Sequence, residues 1–254
     1  MNTQTIEIKM PSIIVANPDM VNYKPYFNQG EENAMVYKKQ EKIEVKGSKA
    51  YAFSKRAFDL FCSSLAIIIL SPLLLILSMI VKFSSKGPVL FKDKRIGLDG
   101  KEIKVYKYRS MYIDAESNIR KYLTEEQIKT WKIERKLDND PRITKIGKFL
   151  RKTSLDELPQ LFNIFAGTLS IVGPRPITFV ELKENYTPYE RRKLLSVKPG
   201  LTGYWQVYGR SDVDYKSGER QKEELAYLPK RSFFFDLKLI FLTIPAVLKH
   251  KGAK

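Results

Sequence analysis

The sequence contains a single histidine, His250, and a single cysteine, Cys62. One cysteine can form no intrachain disulfide, so the sequence gives no sign of an oxidising compartment. One histidine in effect excludes histidine-rich metal sites as well as Ser-His-Asp and Cys-His catalysis. Any chemistry is therefore left to carboxylates, lysines, tyrosines and bound cations.

Acidic residues are also scarce, with 28 Asp and Glu against 45 Lys and Arg and a formal net charge of +17. This balance favours negatively charged partners, which include nucleic acid, anionic lipid and phosphorylated metabolites. The first residues lack the basic segment and apolar core of a secretory signal. Residues 1–50 contain two alternating segments, TIEIKM and KIEVK, but their polarity favours a partly disordered extension over strands.

One apolar run stands out in this polar chain, because residues 60–81 include no charged side chain. As a helix these 22 residues would extend about 33 Å, enough to cross a hydrocarbon core of about 30 Å. A buried core helix is the alternative, but a helix that is apolar on every face is unusual in a small soluble domain. The run therefore predicts insertion into a membrane.

Two features favour a re-entrant helix over a spanning one. Ser71-Pro72 lies at the middle of the run, where proline removes a helical hydrogen bond and kinks the helix. Basic residues flank the run on both sides, and positive flanks prefer the cytoplasmic face. Spanning helices with a proline kink also occur, so both interpretations stay open on these grounds. We expect residues 51–86 to form the re-entrant helix and residues 87–254 to form a catalytic domain with membrane-associated helices.

The fold class predicted for the chain is α+β and helix-dominated, with a helical catalytic domain in the cytosol. Residues 89–95 and 102–108 alternate around a Gly-containing turn, which predicts a β-hairpin. Its lysines could form a solvated strand face or a basic edge beside a membrane. For Lys107 and Arg109, at the end of the hairpin, we expect a functional role in binding substrate phosphate. Charged helices are expected within 115–135 and a further helix over 143–152. Residues 231–249 predict an apolar helix, either in the core or at the membrane interface.

A pair of adjacent carboxylates, Asp156 and Glu157, lies between basic segments that include Arg151 and Arg175. Nearby positive charge should keep the pair ionised, and its hard oxygens could hold a divalent cation. Alternatively, Ser154-x-x-Glu157 is a capping box that starts a helix over 158–166. Both interpretations stay open here. Asp138 and Asp140 are interpreted as turn residues.

Two later segments are candidates for ligand contact. Arg175 lies between Pro174 and Pro176, which suits a preorganised phosphate contact, although a simple turn also explains the prolines. The run KPGLTGYWQVYGRS is rich in glycine, basic and aromatic residues, and could hold a nucleotide or a sugar.

Taken together and in this order, several motifs of residues 54–249 resemble the bacterial sugar transferases. These are the monotopic phosphoglycosyl transferases, which put a sugar 1-phosphate onto polyprenol phosphate. The motifs are Lys55-Arg56-x-x-Asp59, Ser71-Pro72, Gly87-Pro88-Val89-x-Phe91, YKYRSM from Tyr106, DPRIT from Asp140, SLDELPQ from Ser154, GPRP from Gly173 and the KPGLTGYWQVYGRS run. Tyr108 is a mild departure, since phenylalanine is usual at that position.

The resemblance implies a re-entrant helix with both ends in the cytoplasm, at the bacterial inner membrane. It implies a magnesium-dependent pair in which Asp156 attacks the β-phosphate of a UDP-sugar and UMP leaves. Undecaprenyl or another polyprenol phosphate then attacks the phosphosugar-aspartyl intermediate, as the first step of assembling a surface glycan such as exopolysaccharide, O-antigen or capsule. Arg151 and Arg175 are expected to hold phosphates, and Glu157 to bind Mg²⁺ or to assist proton transfer.

Other functions have different consequences. Direct transfer in a ternary complex would need no aspartyl intermediate. A membrane-anchored protein that binds nucleic acid would explain the net charge, but it gives the carboxylate pair and Arg175 no role. We therefore expect a UDP-sugar, polyprenol phosphate and membrane lipids as partners, no nucleic acid, and a plausible homodimer through the apolar elements.

Overall fold

The computed structural model describes residues 4–5, 44–45, 47–134, 137, 139–209 and 217–248. Most of the polar extension lies outside these residues, and so does Asp138. Two short strands of the extension are described, β1 (Gln4–Thr5) and β2 (Glu44–Val45), and they pair antiparallel. In sequence, β1 and β2 overlap the two alternating segments, TIEIKM and KIEVK. Strand pairing therefore occurs there, at least over these four residues.

The apolar run lies inside one helix, α1 (Lys49–Ser84), of 36 residues. Ser48 caps its start by accepting a hydrogen bond from the Tyr51 backbone N–H at 3.1 Å. Within the described part of the chain, α1 is the one helix long and apolar enough to cross a membrane. It is helical throughout, with Pro72 in its interior. The re-entrant break at Ser71-Pro72 therefore stays a prediction.

One face of α1 packs on the rest of the protein and the other is exposed. The packed side chains recur every three to four residues, as a helix face requires. They include Asp59, Ser63, Leu74, Leu77 and Val81. The exposed face is apolar, with Phe53, Phe61, Leu65, Ile68, Ile69, Leu75, Ile76, Met79 and Phe83. An exposed apolar surface of this extent is typical of contact with a membrane.

The predicted hairpin is confirmed. Strands β3 (Leu90–Ile96) and β4 (Glu102–Tyr108) pair antiparallel, with Leu90 opposite Tyr108 and Ile96 opposite Glu102. Asp99, in the turn, has φ of 58°, a left-handed conformation that Asp tolerates better than most residues. At this end of the hairpin Ile96 also bridges to Ile177.

Helices dominate the remainder, as predicted. They are α2 (Ile119–Tyr122), α3 (Glu125–Glu134), α4 (Lys145–Thr153), α5 (Gln160–Ala166), α6 (Phe179–Asn185), α7 (Pro188–Leu195), α8 (Tyr204–Tyr208), α9 (Glu219–Ala226) and α10 (Phe233–Leu248). Strands β5 (Ser170–Val172) and β6 (Gly200–Thr202) form a parallel pair. The start of the glycine-rich run therefore contains a strand. Local sequence pattern could not predict it, because its partner strand lies 30 residues earlier.

The sequence of α10 was compatible with a position in the core or at the membrane interface, and the helix has a buried face and an exposed face. Leu239 and Asp236 are buried against the domain. Phe234, Phe241 and Ile244 are exposed. The helix therefore has a core face and an apolar outer face.

The second half of α1 shares a core with the elements around the carboxylate pair. Leu74, Leu77 and Val81 pack against Tyr108 of β4 and Leu150 of α4. The Tyr108 hydroxyl, absent where phenylalanine is usual, donates a hydrogen bond to the Leu74 carbonyl at 2.8 Å. This contact joins the hairpin to α1 two residues after Pro72.

Candidate active site

The carboxylate pair lies in a short connection between two helices. A 3-10 turn (Leu155–Glu157) follows α4 and precedes α5. Ser154 ends α4 in a left-handed conformation, with φ of 56°, and its side chain makes no capping hydrogen bond. The capping-box interpretation of Ser154 and Glu157 is therefore wrong, because a left-handed Ser154 cannot serve as an extended N-cap.

The two leucines on either side of the pair pack this turn into a core that α4 and β4 share with α1. Leu155 and Leu158 pack on the core cluster that α1 shares with β4 and α4. Asp156, between them, is buried with 9% of its surface exposed. The Glu157 side chain is 40% exposed. The pair thus presents one enclosed and one open carboxylate beside an apolar helix.

Burial raises the pKa of Asp156 to about 6, and the neighbouring charge of Glu157 contributes in the same direction. Lys107 and Arg151 oppose this rise without cancelling it. Desolvation of the carboxylate outweighs the two cations, so its pKa lies above the ordinary value although positive charge is near. At neutral pH a pKa of about 6 still leaves most Asp156 ionised.

Two of the expected phosphate-binding cations lie close to the pair. Lys107 Nζ is 3.1 Å from Glu157 Oε1. Arg151 acts electrostatically on Asp156, and its Nε donates a hydrogen bond to Ser110 Oγ at 2.8 Å. The end of the hairpin and the last turn of α4 therefore converge on the two carboxylates.

Asp140, interpreted as a turn residue, does form a local turn, since its Oδ1 accepts the Arg142 backbone N–H at 3.0 Å. Its carboxylate is also buried and paired with the Arg142 guanidinium, at 2.7 Å between Oδ2 and Nη2. Its charge acts on Arg151 as well. Sequence reasoning missed this pair because an Asp-x-Arg segment in a turn signal carries no mark of burial.

Arg109 and Arg175 are placed differently from the other two cations. Arg109 is buried, and its Nη2 donates to the carbonyls of Val81 at 3.1 Å and Ser85 at 2.6 Å, at the end of α1. Arg175 Nη1 lies 3.4 Å from Glu181 Oε1. Their phosphate-binding roles stay predictions.

The carboxylate pair and the segment after Arg175 contact opposite ends of the hairpin. Lys107, which contacts Glu157, pairs with Phe91 near one end of the hairpin. Ile96, at the other end, bridges to Ile177, two residues after Arg175. Five residues of strand separate the two ends, which corresponds to about 17 Å.

The donor chemistry of the pair fits magnesium. In the described residues, no group of three or more His, Cys, Asp or Glu side chains could hold a metal by itself. Magnesium, however, is commonly bound by one or two carboxylates together with waters and substrate phosphates. Asp156 and Glu157 supply two such carboxylates, one of them open to the solvent.

Comparison with known proteins decides the family. The family model described as bacterial sugar transferase matches residues 50–250. The chain belongs to the bacterial sugar transferase family. The match includes α1, the hairpin, the carboxylate pair and the proline-flanked Arg175, so the expected resemblance is confirmed.

Named relatives of this family include both short and long proteins. The exopolysaccharide production protein ExoY of Rhizobium meliloti (strain 1021) is 42% identical over 202 residues, which are 79% of this chain and 88% of the relative. The undecaprenyl-phosphate galactose phosphotransferase of Salmonella typhimurium is 42% identical over 79% of this chain and 42% of the relative. The UDP-glucose:undecaprenyl-phosphate glucose-1-phosphate transferase of Escherichia coli (strain K12) is 42% identical over 78% of this chain and 41% of the relative.

The chain therefore spans most of the first relative and less than half the length of the other two. The expected enzyme class, a phosphoglycosyl transferase, is confirmed.

Proposed function

We propose that this sugar transferase moves a sugar 1-phosphate from a UDP-sugar to polyprenol phosphate at the membrane, releasing UMP and forming polyprenyl diphosphate sugar. Relatives named for undecaprenyl phosphate and for UDP-glucose support these two substrate classes. A relative named for exopolysaccharide production supports a place in surface glycan assembly.

The observation that carries the proposal is the position of Asp156. It is a buried carboxylate between two leucines that pack on the core cluster shared by α1, β4 and α4, and Arg151 acts on it electrostatically. A polyprenol phosphate keeps its chain in the bilayer and its headgroup at the interface. A nucleophile beside α1 is therefore where such an acceptor can reach it.

In the proposed reaction, a carboxylate oxygen of Asp156 attacks the β-phosphorus of the UDP-sugar. The bond from that phosphorus to the bridging oxygen breaks, and UMP leaves with the electron pair. An ionised carboxylate needs no general base for this step. A phosphate oxygen of polyprenol phosphate then attacks the same phosphorus, and Asp156 leaves as the carboxylate.

The surrounding side chains offset the repulsion between a carboxylate and a diphosphate. Arg151 and Lys107 place two positive charges at the pair, where they can stabilise charge on the phosphoryl oxygens. Asp156 and Glu157 would hold Mg²⁺, which when bound supplies a further positive charge to the phosphates. Glu157 is the open member of the pair, so it could also accept or deliver a proton.

We further propose that α1 is re-entrant and that both of its ends face the cytoplasm at the bacterial inner membrane. At the start of α1, Lys55 pairs with Asp236 at 2.7 Å, and Arg56 donates to the carbonyls of Ile164 and Phe165 at 2.7 and 2.8 Å. At its end, Arg109 holds the carbonyls of Val81 and Ser85. Since the same domain contacts both ends, a helix that separates its ends across a bilayer is disfavoured.

The decisive experiment uses purified protein in detergent with Mg²⁺, polyprenol phosphate and a panel of UDP-sugars. At least one UDP-sugar should release UMP, and Asp156→Asn should release none. A labelled phosphosugar should remain on wild-type protein when the acceptor is omitted, and not on Asp156→Asn. UMP release without any trapped intermediate would favour direct ternary-complex transfer. UMP release at the wild-type rate by Asp156→Asn would remove Asp156 as the nucleophile.

A further inference from the structure

The side chain of Ser110 anchors the guanidinium of Arg151. Its Nε donates a hydrogen bond to Ser110 Oγ at 2.8 Å, although 41 residues separate the two in sequence. Within the described part of the chain, the two terminal nitrogens of Arg151 make no hydrogen bond. The guanidinium is thus anchored at Nε, and the two donors suited to a bidentate contact with phosphate are left for a ligand.

Ser110 can anchor Arg151 because its own position is fixed by α4. Ser110 is buried, and its carbonyl accepts the Thr144 backbone N–H at 3.0 Å. Gly147 lies so close that a Cβ on it would overlap the Ser110 carbonyl oxygen. Gly147 and Arg151 are four residues apart, on the same face of the helix. One contact with this face therefore places the carbonyl of Ser110 at Gly147 and its hydroxyl at Arg151.

The segment that carries Ser110 is also connected to the pair and to α1. Lys107, three residues earlier, contacts Glu157. Tyr108 and Arg109 donate hydrogen bonds to carbonyls of α1. Four consecutive side chains thus hold the membrane helix on one side and the groups around Asp156 on the other.

We propose that Ser110 is a positioning residue, whose hydroxyl orients the Arg151 guanidinium so that its two free nitrogens meet the diphosphate of the UDP-sugar. The proposal deepens the proposed function and rests on it for the identity of the ligand. Holding an arginine in one rotamer before the substrate arrives reduces the entropy that binding must otherwise overcome. The loss of Ser110 should therefore weaken the diphosphate contact even though Ser110 touches no substrate.

The test is a double-mutant cycle on UDP affinity, measured by calorimetry with Mg²⁺ on the full-length protein in detergent. Ser110→Ala should weaken UDP binding about fivefold. Arg151→Ala should weaken it on the order of 30-fold. The double variant should bind UDP within twofold of Arg151→Ala, because Ser110 acts through Arg151.

Two variants separate positioning from general damage. Ser110→Thr keeps the hydroxyl and should bind UDP within twofold of wild type. Ser170→Ala removes another buried hydroxyl, which donates to Asp59 Oδ2 at 2.7 Å, and should lower thermal stability without weakening UDP binding selectively. Unfolding temperatures of all variants are measured alongside.

Each result of the double-mutant cycle either supports or overturns the positioning role of Ser110. Unchanged UDP affinity in Ser110→Ala, or a fivefold loss that persists in the Arg151→Ala background, overturns the positioning role. A wild-type protein that does not bind UDP overturns it too. If the cycle behaves as expected and no UDP-sugar releases UMP, the proposed reaction fails while the Ser110–Arg151 relationship stands.

Discussion

Ser71 donates a hydrogen bond to the carbonyl oxygen of Ile68 at 2.8 Å, inside the apolar run of α1. Ile68 lies four residues before Pro72, so its carbonyl is the one that proline leaves without a helical donor. A backbone carbonyl without a partner is costly where no water can reach it. The serine therefore supplies the hydrogen bond that the following proline removes.

Ser71→Ala should lower the free energy of unfolding by about 1–2 kcal/mol, since it leaves the Ile68 carbonyl unpaired. Denaturant unfolding in detergent measures the change. In a Pro72→Ala background the same substitution should cost less than about 0.5 kcal/mol, because an alanine in place of the proline provides a backbone N–H.

Ser64→Ala is the matched control for this prediction. Its hydroxyl also donates to a carbonyl in the same helix, that of Leu60 at 2.7 Å, but no proline follows. We expect it to change stability by less than about 0.5 kcal/mol. Equal losses for Ser64→Ala and Ser71→Ala would show that the proline has no part in the effect.

Arg109→Met should destabilise the protein by about 2–3 kcal/mol, because the buried guanidinium closes the end of α1 through the Val81 and Ser85 carbonyls. Lys104→Met, at an exposed position of β4, is the control and should have little effect. Unfolding and UDP affinity are measured on both variants. A loss of UDP affinity with unchanged stability would instead show Arg109 to be a phosphate ligand.

The burial of Glu224 predicts that the free energy of unfolding depends on pH. Glu224 is buried, its Oε2 accepts the Arg175 backbone N–H at 2.9 Å, and burial raises its pKa to about 7 from an ordinary 4.5. Between pH 4.5 and 7 the folded protein holds a proton that the unfolded chain has lost. The free energy of unfolding contributed by this group therefore falls as pH rises through that window.

Glu224→Gln cannot titrate, and its amide oxygen can still accept the Arg175 N–H. The variant should gain stability relative to wild type as pH rises from 5 to about 8. Unfolding temperatures at several pH values measure this difference. Glu184→Gln, an exposed site on α6, changes the charge equally and should give no such trend. A constant difference between Glu224→Gln and wild type would contradict the raised pKa.

Gly147→Ala should lower stability by about 3 kcal/mol, because the new Cβ would overlap the Ser110 carbonyl and force α4 away from the hairpin. Thermal unfolding measures the loss, and Lys148→Ala, an exposed neighbour on α4, is the control. We also expect weaker UDP binding by the folded fraction, since Ser110 would no longer meet Arg151. A stable Gly147→Ala protein would show that these backbones do not approach as closely as described.

Local patterns predicted the elements whose partners are near in sequence. The hairpin followed from two alternating segments around a Gly-containing turn, and both strands end within one residue of the expected bounds. The parallel pair of β5 and β6 could not be predicted in this way. Its strands are 30 residues apart, and each is only three residues long. Pairing of such short strands depends on the packing that brings them together.

The carboxylate pair was visible in the sequence, but its environment was not. A left-handed Ser154 replaced the expected cap, and the burial that raises the pKa of Asp156 could not be seen in the sequence. The anchor of Arg151 was missed because a serine after a hairpin is an ordinary residue by composition. A signal was present only in Gly147, whose position within a helix suggests close packing.

The sequence by itself determined that this protein has an apolar helix with a Ser-Pro pair, a basic hairpin, and an Asp-Glu pair among arginines. These features are local, because runs, alternation and motifs need no knowledge of distant contacts. Only the tertiary structure decided which arginine interacts with which carboxylate. Arg151 acts on Asp156 and Arg175 pairs with Glu181, at opposite ends of the hairpin. That division depends on how α4, β3 and β4 pack on α1, and such packing joins residues far apart in the chain.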